Sequence, residues 1–420
     1  MTAADLQQDR ASTDVATVER ITRALIDAGP DESAVVAEIC RIAQGLGLQT
    51  VVTDASPGRP NVEVVLPGEP GPGLLFLGHS DVVPAGEGWT GDPFRSRVHD
   101  GRIVGRGACD MKGGLAAVVA AMGSLARRGV VPAHTVTLAC VVDEEDTGLG
   151  IRAWVSDRTD QTGRPPAFTV DDGRPPAFRV YDGRPPAFRV YDGRPPAFTG
   201  CVVAEPTAGT VIVGCRGAAN IVLTVTGRSA HAGRPENGRS AVVAAARVVG
   251  QIDGLHAELA TVPHPVLGAA SWNVGRIDGG TGPSIVAGRC RLEIDRRLLP
   301  DDDVDAVVAD LLRRARLVTD LDVDAYVEME MPGFLTDESS PLVESALAAL
   351  RSTGAPDPST AVWTASCDGG FVARDLGVPT IVLGPGDLEA QAHQPDESVD
   401  LLEVARLSRA YARLMTEQRP

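Results

Sequence analysis

The chain is short of positive charge. Against 56 aspartates and glutamates it has 39 lysines and arginines, a formal net charge of -17 at pH 7. A nucleic-acid or anionic-membrane partner calls for a basic face, so this balance argues against both and is read as an aid to solubility. Cysteine is sparse and unpatterned: seven residues, an odd number in no tight spacing, give no disulfide framework and read as reduced thiols. No run is long enough to span a bilayer, since the apolar stretch around LAAVVAAM is flanked by Lys112 and Arg127. MTAADLQQDR lacks a basic segment followed by an apolar one, so no leader is expected and the predicted location is cytoplasmic. A G-x-S-x-G nucleophile elbow and a G-K-[ST] phosphate loop are both missing.

What remains is a globular composition, 43% hydrophobic and 23% charged over 420 residues, a length that favours two domains. Val18, Ile21 and Leu25, then Val35, Ile39 and Ile42, predict two packing helices divided at Gly29-Pro30-Asp31. Between Val51 and Val142, short β-rich runs alternate with turns and one long helix after Asp110, the pattern of a doubly wound α/β domain. Near Gly214 the rhythm changes. NIVLTVTG, a helix over 239–251, SWNVGRI, CRLEIDRRL, a helix over 303–317 and VDAYVEME give βαββαβ, a separate ferredoxin-like α+β sheet with two helices on one face. The α/β pattern returns from Pro341. The predicted division is therefore a catalytic domain over 1–213 and 332–420, with a second domain inserted at 214–331.

GRPPAF occurs four times, at Gly163, Gly173, Gly183 and Gly193, with a ten-residue period. Such near-identity reads as tandem duplication, and the Pro-Pro and Asp-Gly pairs predict a protruding loop over 163–199. Lengthening a surface loop costs only about 0.6 kcal/mol per doubling, so the fold tolerates it.

The chemistry concentrates where apolar runs stop. His79 ends GLLFLGH, Glu145 ends VTLACVVDEE, Glu205 ends GCVVAE, and His393 follows TIVLGPG after a short loop. In an open α/β sheet, sites lie beyond the carboxyl ends of the strands. With Asp110 of GRGACDMKGG, these residues are candidate ligands of a two-metal hydrolase centre. N and O donors without thiolate suit zinc, with cobalt or manganese as alternatives. Asp81, two residues beyond His79, is placed to accept the second imidazole N-H. Glu144, beside Glu145, is the candidate base that takes a proton from the attacking water and passes it to the leaving amine. Taken alone, Asp110 also reads as a helix N-cap and the acidic run as a solvated turn.

Together GHSDVVP, GRGACDMKGG, VVDEEDTG, VVAEPT, GRSAHAGRP and GPGDLEAQAHQPDES resemble the M20 metallopeptidase family, from about residue 15 to 415. The resemblance implies a zinc-peptidase-type catalytic domain with an inserted lid that also dimerises. It implies one metal on His79, Asp110 and Glu205 and a second on Asp110, Glu145 and His393, with Glu144 as acid/base and Asp81 as the outer partner. By the same likeness His231 reaches the partner subunit's active site and stabilises the oxyanion, and Arg297 of EIDRRL binds a substrate carboxylate while Arg296 faces the other way. Two positions depart from the family pattern. Ser284 in GTGPSIVAG stands where an asparagine is usual, so a hydroxyl replaces the substrate-contacting amide. Gly370 stands where the S-D-G-R-F run of the desuccinylases has arginine. The predicted activity is hydrolysis of an N-acyl amino acid by a homodimer. Cleavage of a dipeptide or a C-terminal amino acid is the alternative within the family, and a non-catalytic dimeric binding protein the alternative outside it.

Overall fold

The computed structural model describes residues 3–159, 179–180, 197–355 and 357–417, with backbone alone for 3–13 and 179–180. Strand Gly73–His79 is buried at every residue, as a run with no polar side chain before its last position requires when both faces of a sheet are covered. Side chains alternate along it. Leu74 and Phe76 enter a core built with helices Ala3–Asp27, Glu32–Gly45, Gly113–Arg127, Pro341–Ser352 and Leu401–Glu417. Leu75 and Leu77 enter the opposite core, against Leu149–Thr159 and Gly369–Leu376. Phe76 also meets Tyr411 edge-on, with ring centroids 5.1 Å apart.

This strand lies within a nine-stranded mixed sheet. It runs parallel to Val136–Val141 on one side and to Phe198–Val203 on the other, and Thr380–Val382 continues the parallel set beyond Phe198–Val203. Their carboxyl ends therefore share one rim. Beyond this set the pairing turns antiparallel on both sides, at Arg59–Leu66 and at Val211–Cys215. Gln49–Ser56 and Arg59–Leu66 form a hairpin through Pro57-Gly58, where Gly58 takes φ +78°, a conformation that glycine adopts without steric cost. Two helices precede them with the break at Gly29 to Asp31, as the spacing predicts, and Asp31 accepts from Ala34 N to cap the second. Contrary to the expectation that no run is long enough, the stretch Ala108–Arg127, a turn followed by helix Gly113–Arg127, is long and apolar enough to cross a membrane, but it is almost wholly buried inside the protein as its central core segment.

The predicted βαββαβ order is borne out. Gly217–Thr226, Ala241–Ala260, Ser271–Gly279, Arg289–Leu298, Val304–Val318 and Asp322–Met331 form an antiparallel sheet with both helices on one face. Most of the 163–199 repeat falls outside the described residues. Two described pieces of it are not loop. Arg179–Val180 pairs with Val327 and Tyr326 at the edge of the second sheet. Phe198, the last residue of the fourth copy, opens an inner strand of the main sheet and stacks on Trp154 at 6.1 Å. An aromatic at the start of an inner strand is held by burial whatever repeat it belongs to.

Candidate metal centre

Parallel pairing aligns His79 with Val141 and Leu77 with Val203, so His79, the turn carrying Glu144 and Glu145, and Glu205 emerge side by side at the strand ends. Asp110 reaches the same rim from a turn ahead of the core helix. It is not the helix N-cap: the helix begins at Gly113, and Asp110 has φ -117° and ψ 93°. His393 arrives from the loop after Thr380–Val382 and the short helix Leu388–Gln391, with its own φ at +63°.

The five candidates form two groups that share Asp110. In one, His79, Asp110 and Glu205 are all buried; in the other, buried Asp110 is joined by half-buried Glu145 and exposed His393; within each, one donor atom per residue lies within 4.8 Å of the others. His79 Nε2 stands 3.3 Å from Asp110 Oδ1 and 3.4 Å from Glu205 Oε1. His393 Nε2 stands 3.3 Å from Asp110 Oδ2 and 3.1 Å from Glu145 Oε2. Each carboxylate oxygen of Asp110 thus faces a different imidazole.

These carboxylates carry more negative charge than the protein neutralises. Burial works to lower the His79 pKa, but Glu205, Asp110 and Asp81 outweigh it and hold the imidazole well above its ordinary value. Hydrogen bonds to Asp110 and Glu145 push His393 up to about 10. Burial, reinforced by the adjacent Asp110, pushes Glu205 up to about 8. Groups that protonate to relieve a buried surplus of carboxylate occupy the place of divalent cations, and N/O donors in two triads joined by one carboxylate fit a pair of them. Thiolate does not contribute: Cys109 Sγ points to the Asp387 carbonyl at 3.6 Å, and Cys367 is buried beside Cys215.

Asp81 is arranged differently from the simple outer acceptor. His79 Nδ1 lies 3.0 Å from the Asp81 main-chain oxygen and 3.4 Å from its carboxylate. The carboxylate accepts the peptide N-H groups of Glu144 at 3.2 Å and Glu145 at 3.0 Å, so one residue orients the imidazole and anchors the acidic turn. Burial lifts the Glu144 carboxyl well above the usual carboxylate range.

Of the remaining predicted residues, Arg296 and Arg297 lie on strand Arg289–Leu298 of the second sheet, His231 and Ser284 in loops of the same 214–331 segment, and Gly370 in helix Gly369–Leu376. Arg296 is buried against Trp272 and Asp302, while Arg297 lies on the opposite face with Nε 3.0 Å from Asp295, as strand alternation requires. His231 is exposed, and its Nδ1 accepts from Gly233 N at 3.0 Å. Ser284 adjoins it, its carbonyl accepting from Ala232 N. The geometry does not join these two to the five candidate ligands within one chain. Gly370 has a steric cause: a Cβ there would stand 1.8 Å from the Pro332 carbonyl oxygen, which excludes arginine.

Sequence reasoning passed over three buried charged residues near the rim. Arg106 and Glu397 form a 2.7 Å pair behind Asp110. Asp368, 2% exposed, has neither carboxylate oxygen hydrogen-bonded among the described residues, and burial pushes it up to about 8. Their only sequence signal is position: Arg106 and Glu397 fall within GRGACDMKGG and GPGDLEAQAHQPDES, and Asp368 two residues before Gly370.

Comparison with known proteins agrees with this architecture. The profile of peptidase family M20/M25/M40 matches residues 75–417. An acetylornithine deacetylase of Aliivibrio fischeri (strain MJ11) is 28% identical over 377 residues, 86% of this chain and 85% of that one. A succinyl-diaminopimelate desuccinylase of Gluconacetobacter diazotrophicus is 28% identical over 414 residues, 96% of each. The fold matches that of a dinuclear metal-binding peptidase of the M20 family from Bacillus subtilis with a TM-score of 0.67, at 14% identity and covering 96% of this chain and 98% of that chain.

Proposed function

The chain belongs to peptidase family M20/M25/M40, and on that premise we propose that it hydrolyses the amide bond of an N-acyl amino acid, as a deacetylase or desuccinylase does. The observation that carries the reading is the pair of ligand triads sharing Asp110, with Glu144 beside them on a turn held by Asp81. His79, Asp110 and Glu205 would hold one divalent cation and Asp110, Glu145 and His393 the other, zinc by donor chemistry, with cobalt or manganese as substitutes. When bound, such a pair polarises the scissile carbonyl and brings the pKa of a water towards neutrality.

Glu144 takes a proton from the water as its oxygen attacks the carbonyl carbon, then delivers it to the nitrogen as the C-N bond breaks. Its buried setting favours this work, because a raised carboxyl pKa lets one group act as base and then as acid. Arg297, on the open face of the second sheet with its side chain 35% exposed, would receive the substrate carboxylate through two parallel hydrogen bonds. Ser284 adjoins the His231 turn and would contribute a hydroxyl to the substrate.

Two features support a homodimer through the 214–331 domain. Ser271–Gly279 is an edge strand with Ile277 51% exposed, and the helix packed on it exposes Val243 at 52%. A free edge flanked by apolar side chains suits pairing with a second copy. His231 would then serve the other subunit's site. Gly233 N-H occupies its Nδ1, leaving Nε2 as the donor an oxyanion needs. All seven cysteines are unpaired, which suits the reducing cytoplasm.

Cleavage of dipeptides would use the same residues, since Arg297 can anchor the carboxylate of either substrate. Hydrolysis of N-acetyl amino acids, N-succinyl-diaminopimelate and dipeptides by zinc- or cobalt-loaded protein separates the readings, with Glu144→Gln as control. Turnover confined to acylated amino acids is expected. Preference for dipeptides would move the chain to the peptidase branch.

A further inference from the structure

We propose that Arg106 and Glu397 are positioning residues that lock together three loops of the metal centre and thereby set its affinity for the cation between Asp110, Glu145 and His393. The inference rests on the two-cation reading above. Glu397, 1% exposed, fills a nest of donors: Oε1 accepts from Cys109 N at 2.8 Å and Asp110 N at 2.9 Å, and Oε2 from Gly107 N at 3.0 Å and Arg106 Nη1 at 2.7 Å. Its own carbonyl accepts from Gly105 N at 2.9 Å. Four residues earlier in the chain stands His393.

Arg106 extends the lock. Its guanidinium donates to Ala85 O at 3.0 Å, weakly to Pro84 O and Gln394 O at 3.4 Å each, and lies 5.0 Å from the Trp89 ring centroid. The pair therefore touches the loop after His79 and Asp81, the turn carrying Asp110, and the segment after His393.

That last segment needs holding. His393 and Asp396 have φ of +63° and +54°, a left-handed conformation that non-glycine residues adopt at a steric cost and that persists only where the surroundings dictate it. Asp396 is fixed by Thr90 Oγ1 and Arg97, each at 2.9 Å, and Glu397 by the nest. A buried ion pair adds little net stability once desolvation is counted, so stability alone is a poor account of it. Orientation of Asp110 and His393 is the better one, since this carboxylate accepts the Asp110 peptide N-H and belongs to the segment that carries His393.

The test titrates metal-stripped full-length protein and its Glu397→Gln variant with Zn2+ against a chromogenic chelator, and measures metal-free Tm, then kcat and KM at saturating zinc. Glutamine keeps the shape but turns an NH2 towards peptide donors. One zinc should bind at near wild-type affinity and the other about 10–100-fold more weakly, the usual effect of losing an outer partner, with kcat recovering as zinc is raised and KM unchanged. Unchanged affinities for both zincs alongside a lowered Tm would overturn the proposal and leave a plain structural staple. Wild-type protein that binds only one zinc would overturn the two-cation reading itself. Should Glu397→Gln not fold, Arg106→Lys keeps the charge but loses the fork reaching Ala85 and Gln394, and the same readouts apply.

Discussion

Asp81→Asn is the sharpest perturbation of the centre that leaves every candidate ligand in place. The carboxylate oxygens accept Glu144 N at 3.2 Å and Glu145 N at 3.0 Å, and Oδ1 lies 3.4 Å from His79 Nδ1. Asparagine has one acceptor oxygen. Whichever way the amide turns, its NH2 faces a peptide N-H. A hydrogen bond to a charged acceptor contributes about 1.5–3 kcal/mol, and a buried donor left unpaired costs about 1–3 kcal/mol. The side chain is only 13% exposed, so water replaces little of this. The acidic turn should shift, and with it Glu145. The consequence is a loss of metal affinity of about 10–100-fold, which is roughly 1.4–2.7 kcal/mol at 1.36 kcal/mol per decade. Competition titration with zinc, followed by kcat at saturating metal, measures both parts: weaker binding from the shifted turn, and slower turnover because Glu144 shares the loosened peptide. Zinc affinities within about threefold of wild type, with unchanged kcat, would refute the claim that Asp81 anchors the turn.

Glu144→Gln should retain both zincs, because its peptide N-H still reaches Asp81, while kcat falls by about 10²–10⁴, the range for losing a positioned acid/base; metal analysis beside steady-state kinetics checks it, and full activity would remove Glu144 from the mechanism. His231→Ala should depress kcat by about 10²–10³, as loss of one oxyanion donor does, with zinc content and Tm unchanged. Mixing that variant with Glu144→Gln protein should restore part of the activity if the histidine acts across subunits, and no recovery in a demonstrated mixed dimer would place it elsewhere.

Much of the fold and the identity of the candidate ligands were legible in the sequence. Gly73–His79 could only be a strand covered on both faces, and a histidine at its end had to surface at the rim. The βαββαβ order followed from alternation and helical spacing in the same way, as did the opposite facing of Arg296 and Arg297. Less legible were features that depend on which backbone meets which side chain. The N-cap reading of Asp110 had no local contradiction, yet the turn is held by Glu397, 287 residues away. Phe198 belongs to a repeat by sequence and to the core by packing against Trp154.

Sequence alone determined the strand and helix periods, the residues that end the apolar runs, and hence a set of N/O donors at one rim, because these follow from side-chain polarity and spacing. Tertiary structure decided the rest. It placed the two triads that the family resemblance implies around the two oxygens of Asp110, gave Asp81 its second task, closed position 370 with the Pro332 carbonyl, and brought Arg106 and Glu397 together behind the site. Hydrogen bonds and steric contacts between distant segments have no periodicity, so no local pattern announces them.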